Sequence, residues 1–157
     1  GIRDQPRSRG LGDVYKRQMK FYVLESKSGK IYYLRSKIEY MIAKALDDLG
    51  IKFEYEPKDL VEYGLVPDFA INVGGKEYYL EHLGMLDKEI YRLRWKEKLR
   101  IYRERGLLDL LITTEEPGSG EINVNKVVEE IINDIKRGSL KETPEGYPSK
   151  HHYILKA

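Results

Sequence analysis

The sequence predicts an α/β domain in which a mixed central sheet is flanked by helices. Two observations support this fold class. Segments with apolar residues at helical spacing alternate with short β-rich runs. In addition, one pair of runs is joined by adjacent glycines, whereas a later run follows a long helical segment. A hairpin beside a strand that is reached through a crossover helix combines antiparallel and parallel pairing in one sheet.

The N-terminal part of the domain predicts a strand pair, a helix and a third strand. The β-rich runs 21–25 and 30–34 lie on either side of a turn-like Lys-Ser-Gly sequence. Ser36 then begins a helix, because apolar residues recur at helical spacing after it, and Gly50 ends that helix. Residues 51–55 follow as a short strand.

The middle of the chain predicts a tight hairpin and a long helix. The β-rich runs 66–73 and 76–83 are separated by Gly74 and Gly75. Two glycines suit a two-residue turn because both turn positions need a positive φ. Residues 87–105 form the long helix.

The C-terminal part predicts one more strand and one more helix. Residues 107–113 are an apolar run of strand length, and residues 124–136 are amphipathic with helical spacing. Residues 139–157 are polar and contain two prolines, so we interpret them as a tail outside the domain at 19–138. The core order is therefore helix, three strands, helix, strand.

Residues 1–18 are interpreted as an artefact and not as part of the domain. Residues 13–18 match what one frame of a common transposase adapter for sequencing libraries encodes, as in a metagenomic read. We expect residues 1–18 to be disordered; the alternative is a basic arm that binds nucleic acid. They contain five of the 28 basic and two of the 26 acidic side chains, so residues 19–157 hold 23 and 24 and carry a net charge of −1. Any affinity for nucleic acid must then come from local patches.

Composition excludes several classes of protein. The chain has no cysteine, so it contains neither disulfides nor a thiolate metal site. No apolar run approaches the about 20 residues that a membrane span needs. A cytoplasmic protein without a membrane partner is the expectation, and residues 19–157 are enough for one domain with its own core.

Two acidic side chains are predicted to face each other across the hairpin. With a two-residue turn at Gly74 and Gly75, facing residues have numbers that sum to 149, as those of Asp68 and Glu81 do. Their Cβ atoms would lie about 5 Å apart on one face, and like charges so placed destabilise a sheet. A divalent cation would replace that repulsion by coordination, and Mg²⁺ (or Mn²⁺) suits carboxylate, water and phosphate oxygens. A register shifted by one residue would instead separate the two acids.

The sequence around these acids resembles the PD-(D/E)XK nuclease superfamily. The motifs are Val-Pro-Asp-Phe at 66–69 and Tyr-Leu-Glu-His-Leu-Gly-Met at 79–85. Further similar segments in the matching order are 35–39, 53–56, 91–102 and 110–114. The resemblance covers residues 35–114 and is greatest to helicase-associated nuclease domains. It implies a restriction-endonuclease-like αβββαβ core.

The resemblance also implies a function. Asp68 and Glu81 would bind the metal ion, and a water on that ion would attack the phosphodiester of DNA. The protein would then be a metal-dependent deoxyribonuclease, as a module or partner of a helicase-type repair or defence protein. The alternative is a catalytically inactive nucleic-acid-binding module of the same fold.

One position departs from the family pattern. The lysine that usually lies two residues after the glutamate is replaced by Leu83. Lys98 is the candidate substitute, since it falls on the same helical stripe as the aromatic residues of the second helix. The other interpretation is that its stem covers the rings while the ammonium group meets water.

Glu39 has two interpretations as well. In the family, a glutamate of the first helix can join the metal site or orient its waters, which makes Glu39 a fourth candidate catalytic residue. The spacing from Ser36 to Glu39 is also that of a capping box, in which the glutamate closes the start of the helix.

Basic residues that alternate with aromatic ones predict a nucleic-acid surface along 88–105. Such a surface can follow a phosphate backbone and stack on unpaired bases, with Arg94 and Trp95 as the candidates. Arg35 and Lys37, at the start of the first helix, are candidates for a further phosphate contact. The alternative is a solvated helix of mixed charge, because glutamates are interspersed.

Overall fold

The computed structural model describes residues 20–157. The adapter interpretation of residues 1–18 therefore lies outside the described residues. The strands are β1 (Tyr22–Glu25), β2 (Ile31–Leu34), β3 (Lys52–Tyr55), β4 (Phe69–Val73), β5 (Lys76–Leu83), β6 (Leu111–Glu115) and β7 (His151–Ile154). The α-helices are α1 (Lys37–Asp48), α2 (Glu89–Glu104) and α3 (Val124–Arg137). Among these residues, no helix has the length and apolar character needed to cross a membrane.

A mixed five-stranded sheet organises the domain. Its strand order is β3-β4-β5-β6-β7, and β1 and β2 form a separate two-stranded sheet. The β3-β4-β5 pairings are antiparallel, whereas β5-β6 and β6-β7 are parallel. The predicted α/β class with a mixed sheet is confirmed.

The hairpin register is the predicted one. Gly74 and Gly75 have φ values of 63° and 82°, and the pairs run from Val73 with Lys76 to Phe69 with Leu80. The ladder ends there, and continuing its numbering by one step would place Asp68 opposite Glu81. The prediction that the strand starts at residue 66 was wrong, because β4 begins only at Phe69. Pro67, two residues earlier, has no N–H to donate to a neighbouring strand.

The two faces of the sheet pack against different helices. Phe69, Ile71 and Leu80 share a core with residues of α1 and α3. Ala70 and Tyr79 belong to a second core, which is closed by α2. Because side chains alternate along a strand, Glu81 points toward the α2 face.

The helix starts and ends follow the sequence signals closely. The Ser36 hydroxyl accepts a hydrogen bond from the N–H of Glu39 at 3.1 Å, which caps α1. Gly138, with φ 67°, ends α3.

The start of the strand predicted at residues 107–113 was wrong. Residues 108–110 form a short 3-10 helix, and β6 begins at Leu111.

The prediction that residues 139–157 form a tail was wrong. β7 lies beside β6 in the sheet, and both Tyr153 and Leu155 are buried in the main core. The carbonyl of Pro148 accepts a hydrogen bond from the Trp95 indole at 2.6 Å, so this segment also contacts α2. The last part of the chain is therefore part of the folded domain, with β7 as an edge strand of its sheet.

Candidate carboxylate site

Asp68 and Glu81 are held by hydrogen bonds on adjoining segments. Asp68 Oδ2 accepts a bond of 2.7 Å from the backbone N–H of His82, the residue next to Glu81. Glu81 is 5% exposed, and its Oε2 accepts a bond of 2.6 Å from the hydroxyl of Tyr102 on α2. The hairpin positions both acids, and the helix fixes the orientation of the second.

Glu39 approaches from the start of α1. Its Oε1 accepts a hydrogen bond of 2.7 Å from the Tyr55 hydroxyl at the end of β3. The helix cap uses only the backbone N–H of Glu39, since that group bonds to Ser36. The carboxylate is therefore directed to Tyr55 and does not close a capping box.

The three carboxylates share one bonding pattern. In each of them one oxygen accepts a hydrogen bond, from His82, Tyr102 or Tyr55. Within residues 20–157, the other oxygen of each group has no hydrogen-bond partner. Each of the three acids thus has one carboxylate oxygen without a partner among these residues.

The electrostatics of the site reflect burial and mutual repulsion. Burial raises the pKa of Asp68 well above its usual range, and the charges of Glu81 and Glu39 raise it further. The hydrogen bond from His82 and the charge of Lys98 act in the opposite direction on the pKa of Asp68. Burial also raises the pKa of Glu81, against the effects of Lys98 and Tyr102. For both acids burial is the largest effect, and it disfavours the charged form.

Lys98 lies in the cavity that the two acids line. The cavity has a volume of about 350 Å³. The residues around it come from the end of the hairpin and from α2: Asp68, Glu81, His82, Leu83, Gly84, Met85, Leu86, Tyr91, Arg94, Trp95 and Lys98. Leu83 is buried in the core under α2, so the position that usually holds the lysine offers only an apolar side chain. The catalytic role of Lys98 remains a prediction.

The predicted nucleic-acid residues divide into two groups. Arg94 is exposed and lines the cavity, whereas Arg35 and Lys37 lie outside it. Arg35 Nε is 2.7 Å from Glu56 Oε2. The proposal that Trp95 stacks on a base was wrong for this structure, because Trp95 is only 4% exposed and its N–H bonds to Pro148.

Side chains alternate along a strand, so the His82 ring is on the opposite side from Glu81, and it lies against β6. Its Nδ1 is 2.9 Å from the Thr114 hydroxyl, and its Nε2 is 3.6 Å from Glu116 Oε2, beyond hydrogen-bond distance. Burial lowers the pKa of His82. The contribution of His82 to the acids comes from its backbone N–H.

Sequence reasoning missed the tyrosines that hold the acids. Tyr102 was assigned to the packing stripe of α2, and Tyr55 to a strand. The only signal was that both carry a hydroxyl, and a buried hydroxyl usually finds a partner. The carboxylate that each tyrosine contacts depends on how separate helices and strands pack together. The local sequence pattern does not contain that information.

Few side chains of the site could coordinate a metal ion. Within residues 20–157, no group of three or more histidine, aspartate or glutamate side chains is placed to hold a metal ion. Asp68 and Glu81 supply two carboxylates. Mg²⁺ is commonly bound by one or two carboxylates together with waters and phosphate oxygens. Two carboxylates would therefore suffice for Mg²⁺, although they are too few to enclose an ion with protein ligands alone.

Comparison with known proteins adds one relative. No known protein family matches the chain, and no solved structure matches it. The chain is similar to an uncharacterized protein of Methanocaldococcus jannaschii, with 37% identity over 75 residues. The matched segment is 46% of this chain and 6% of that protein. The matched segment therefore corresponds to a small part of a much longer relative.

Proposed function

We propose that this domain is a metal-dependent deoxyribonuclease with a restriction-endonuclease-like fold. The observation that carries the proposal is that Asp68, Glu81 and Lys98 line one cavity, with Glu39 close enough for its charge to raise the pKa of Asp68. Buried like charges destabilise a fold unless something compensates for them. A divalent cation between the acids would provide that compensation.

Each residue of the site would have its own role in the reaction. Asp68 and Glu81 would hold Mg²⁺ or Mn²⁺, which would acidify a water and offset charge on the phosphate. Glu39 accepts a hydrogen bond from a water at the edge of the site. Lys98 holds the attacking water or a phosphate oxygen, in place of the lysine missing at Leu83.

Two further observations support the proposal. The chain order of α1, three strands, α2 and β6 is the αβββαβ order that the resemblance implies. The relative is far longer than the matched segment, which fits a module within a larger protein. A helicase-type repair or defence protein would supply such a context, with DNA as the substrate.

The test is cleavage of DNA in the presence of Mg²⁺ or Mn²⁺. Asp68→Asn and Glu81→Gln keep the acceptors for His82 and Tyr102 but remove charge, so each should lower the rate at least about a hundredfold. Glu62→Gln, an exposed acid outside the cavity, is the matched control and should cleave at the wild-type rate. Absence of cleavage by the wild type, or equal rates in all four proteins, would overturn the proposal.

An inactive nucleic-acid-binding module is the second candidate. The buried apolar side chain of Leu83 favours it, because this position usually provides the catalytic cation. Salt-sensitive DNA binding by a wild-type protein that cleaves nothing with either ion would select this function over the nuclease.

A further inference from the structure

Apolar side chains are exposed at the rim of the carboxylate cavity. Met85 and Tyr91 are 49% and 38% exposed, and both line the cavity. Met85 has a φ of 56°, in the left-handed region that non-glycine residues rarely adopt. Unfavourable backbone of this kind concentrates at ligand-binding sites, where surrounding structure maintains it.

Tyr91 is the exposed aromatic ring of this cavity. The other aromatic side chain that lines it, Trp95, is buried and bonded to Pro148. The guanidinium carbon of Arg94 is 5.8 Å from the centre of the Tyr91 ring. A partly exposed ring with a cation over it is a combination that can stack a base and contact its phosphate in single-stranded nucleic acid.

We infer that Tyr91, with Met85 and Arg94, forms a subsite for one unpaired nucleobase next to the phosphate that is cleaved. The inference rests on the proposed nuclease function. The ring lies at the mouth of the cavity that holds the acids, so a nucleotide whose phosphate reaches Asp68 and Glu81 passes beside it. A base within a duplex is stacked between its neighbours and cannot lie on a protein ring without being unpaired. The subsite would therefore select DNA with an unpaired nucleotide at this position.

Binding measured without divalent metal tests the subsite separately from catalysis. Fluorescence anisotropy would compare a single-stranded oligodeoxynucleotide with the same strand carrying abasic sites. Tyr91→Ala should weaken binding of the normal strand on the order of tenfold or more, since stacking on one aromatic ring has about that effect. The same variant should bind the abasic strand as the wild type does, and Tyr91→Phe should restore the preference for bases.

Leu93→Ala is the matched control, because Leu93 is exposed on the same helix but does not line the cavity. It should bind both strands as the wild type does. An equal loss of affinity for the normal and the abasic strand in Tyr91→Ala, or no loss for either, would overturn the subsite.

Cleavage separates failure of the subsite from failure of the nuclease. If the wild type cleaves and Asp68→Asn does not, but Tyr91→Ala keeps the wild-type preference for unpaired over paired DNA, the subsite is wrong and the nuclease stands. If no protein cleaves while the base-dependent loss at Tyr91 is seen, the nuclease is wrong and a base-binding module stands.

Discussion

The hydroxyl of Tyr102 donates a hydrogen bond of 2.6 Å to Glu81 Oε2 between the sheet and α2. Tyr102 is fully buried, and Glu81 nearly so. Burial, followed by the charge of Glu81, raises the pKa of Tyr102, so the hydroxyl keeps its proton and remains a donor. The tyrosine thereby fixes one oxygen of the acid, and the other has no hydrogen-bond partner among the described residues.

Removal of this donor should destabilise the fold. Tyr102→Phe keeps the ring but leaves a buried carboxylate oxygen without a partner, so the free energy of unfolding should fall by about 1.5–3 kcal/mol at neutral pH. Urea denaturation measures the change. Tyr147→Phe is the control, because the Tyr147 hydroxyl is buried without a hydrogen-bond partner in the described chain. Its removal should not lower stability, because a buried hydroxyl without a partner itself costs about 1–3 kcal/mol, and equal losses in the two variants would contradict the role given to Tyr102.

Stability should fall as pH rises, in the absence of divalent metal. Burial raises the folded-state pKa of both Asp68 and Glu81, so between the unfolded and folded pKa values the folded protein binds more protons. The stability contributed by these groups is complete below their pKa values in the unfolded state, which are about 4. It is lost as pH rises through their pKa values in the folded state. Urea denaturation over a pH series measures this slope.

Neutral substitutes should reverse that loss. Asp68→Asn and Glu81→Gln should be more stable than the wild type above neutral pH by on the order of 1 kcal/mol, with a flatter pH profile. Added Mg²⁺ should raise the stability of the wild type and leave that of both variants nearly unchanged. A variant that is less stable than the wild type in metal-free buffer at high pH would show that the acids do not repel each other.

The register of the hairpin could be predicted because the sequence specifies it twice. Gly74 and Gly75 fix a two-residue turn, and the alternation of Phe69, Ile71 and Leu80 with their neighbours fixes which face meets the larger core. The facing relation of residues 68 and 81 follows from those two local facts.

The rest of the site depends on contacts between distant segments. β7 has only four residues and pairs in parallel with β6, so neither a turn nor a long apolar run announces it. Pro148, which precedes β7, accepts a hydrogen bond from the Trp95 indole, and helical spacing alone did not show that this ring is buried. The tyrosine donors were missed for this reason too, since their partners lie on other elements.

The contribution of β7 to the free energy of unfolding can be measured by substituting two neighbouring residues. Tyr153 is buried and bonded through its hydroxyl to Asp134 at 2.7 Å, whereas Ile154 is only partly buried. Tyr153→Ala should lower the free energy of unfolding by about 3–5 kcal/mol, as large aromatic truncations in cores do. Ile154→Ala should cost clearly less. If both variants unfold at the wild-type urea concentration, β7 is not part of the cooperative unit.

Arg94 and Arg100 should differ in their effect on the salt dependence of DNA binding. Arg94 is exposed at the cavity and forms no ion pair with another described residue, whereas Arg100 on the same helix is paired with Glu97 and Glu104. An arginine without an ion-pair partner releases counterions when it meets a phosphate, so Arg94→Ala should reduce the slope of log affinity against log salt by about one. Arg100→Ala should leave the slope unchanged, because its charge is already compensated. Anisotropy titrations at several salt concentrations measure both slopes, and equal slopes in the wild type and Arg94→Ala would remove Arg94 from the phosphate contact.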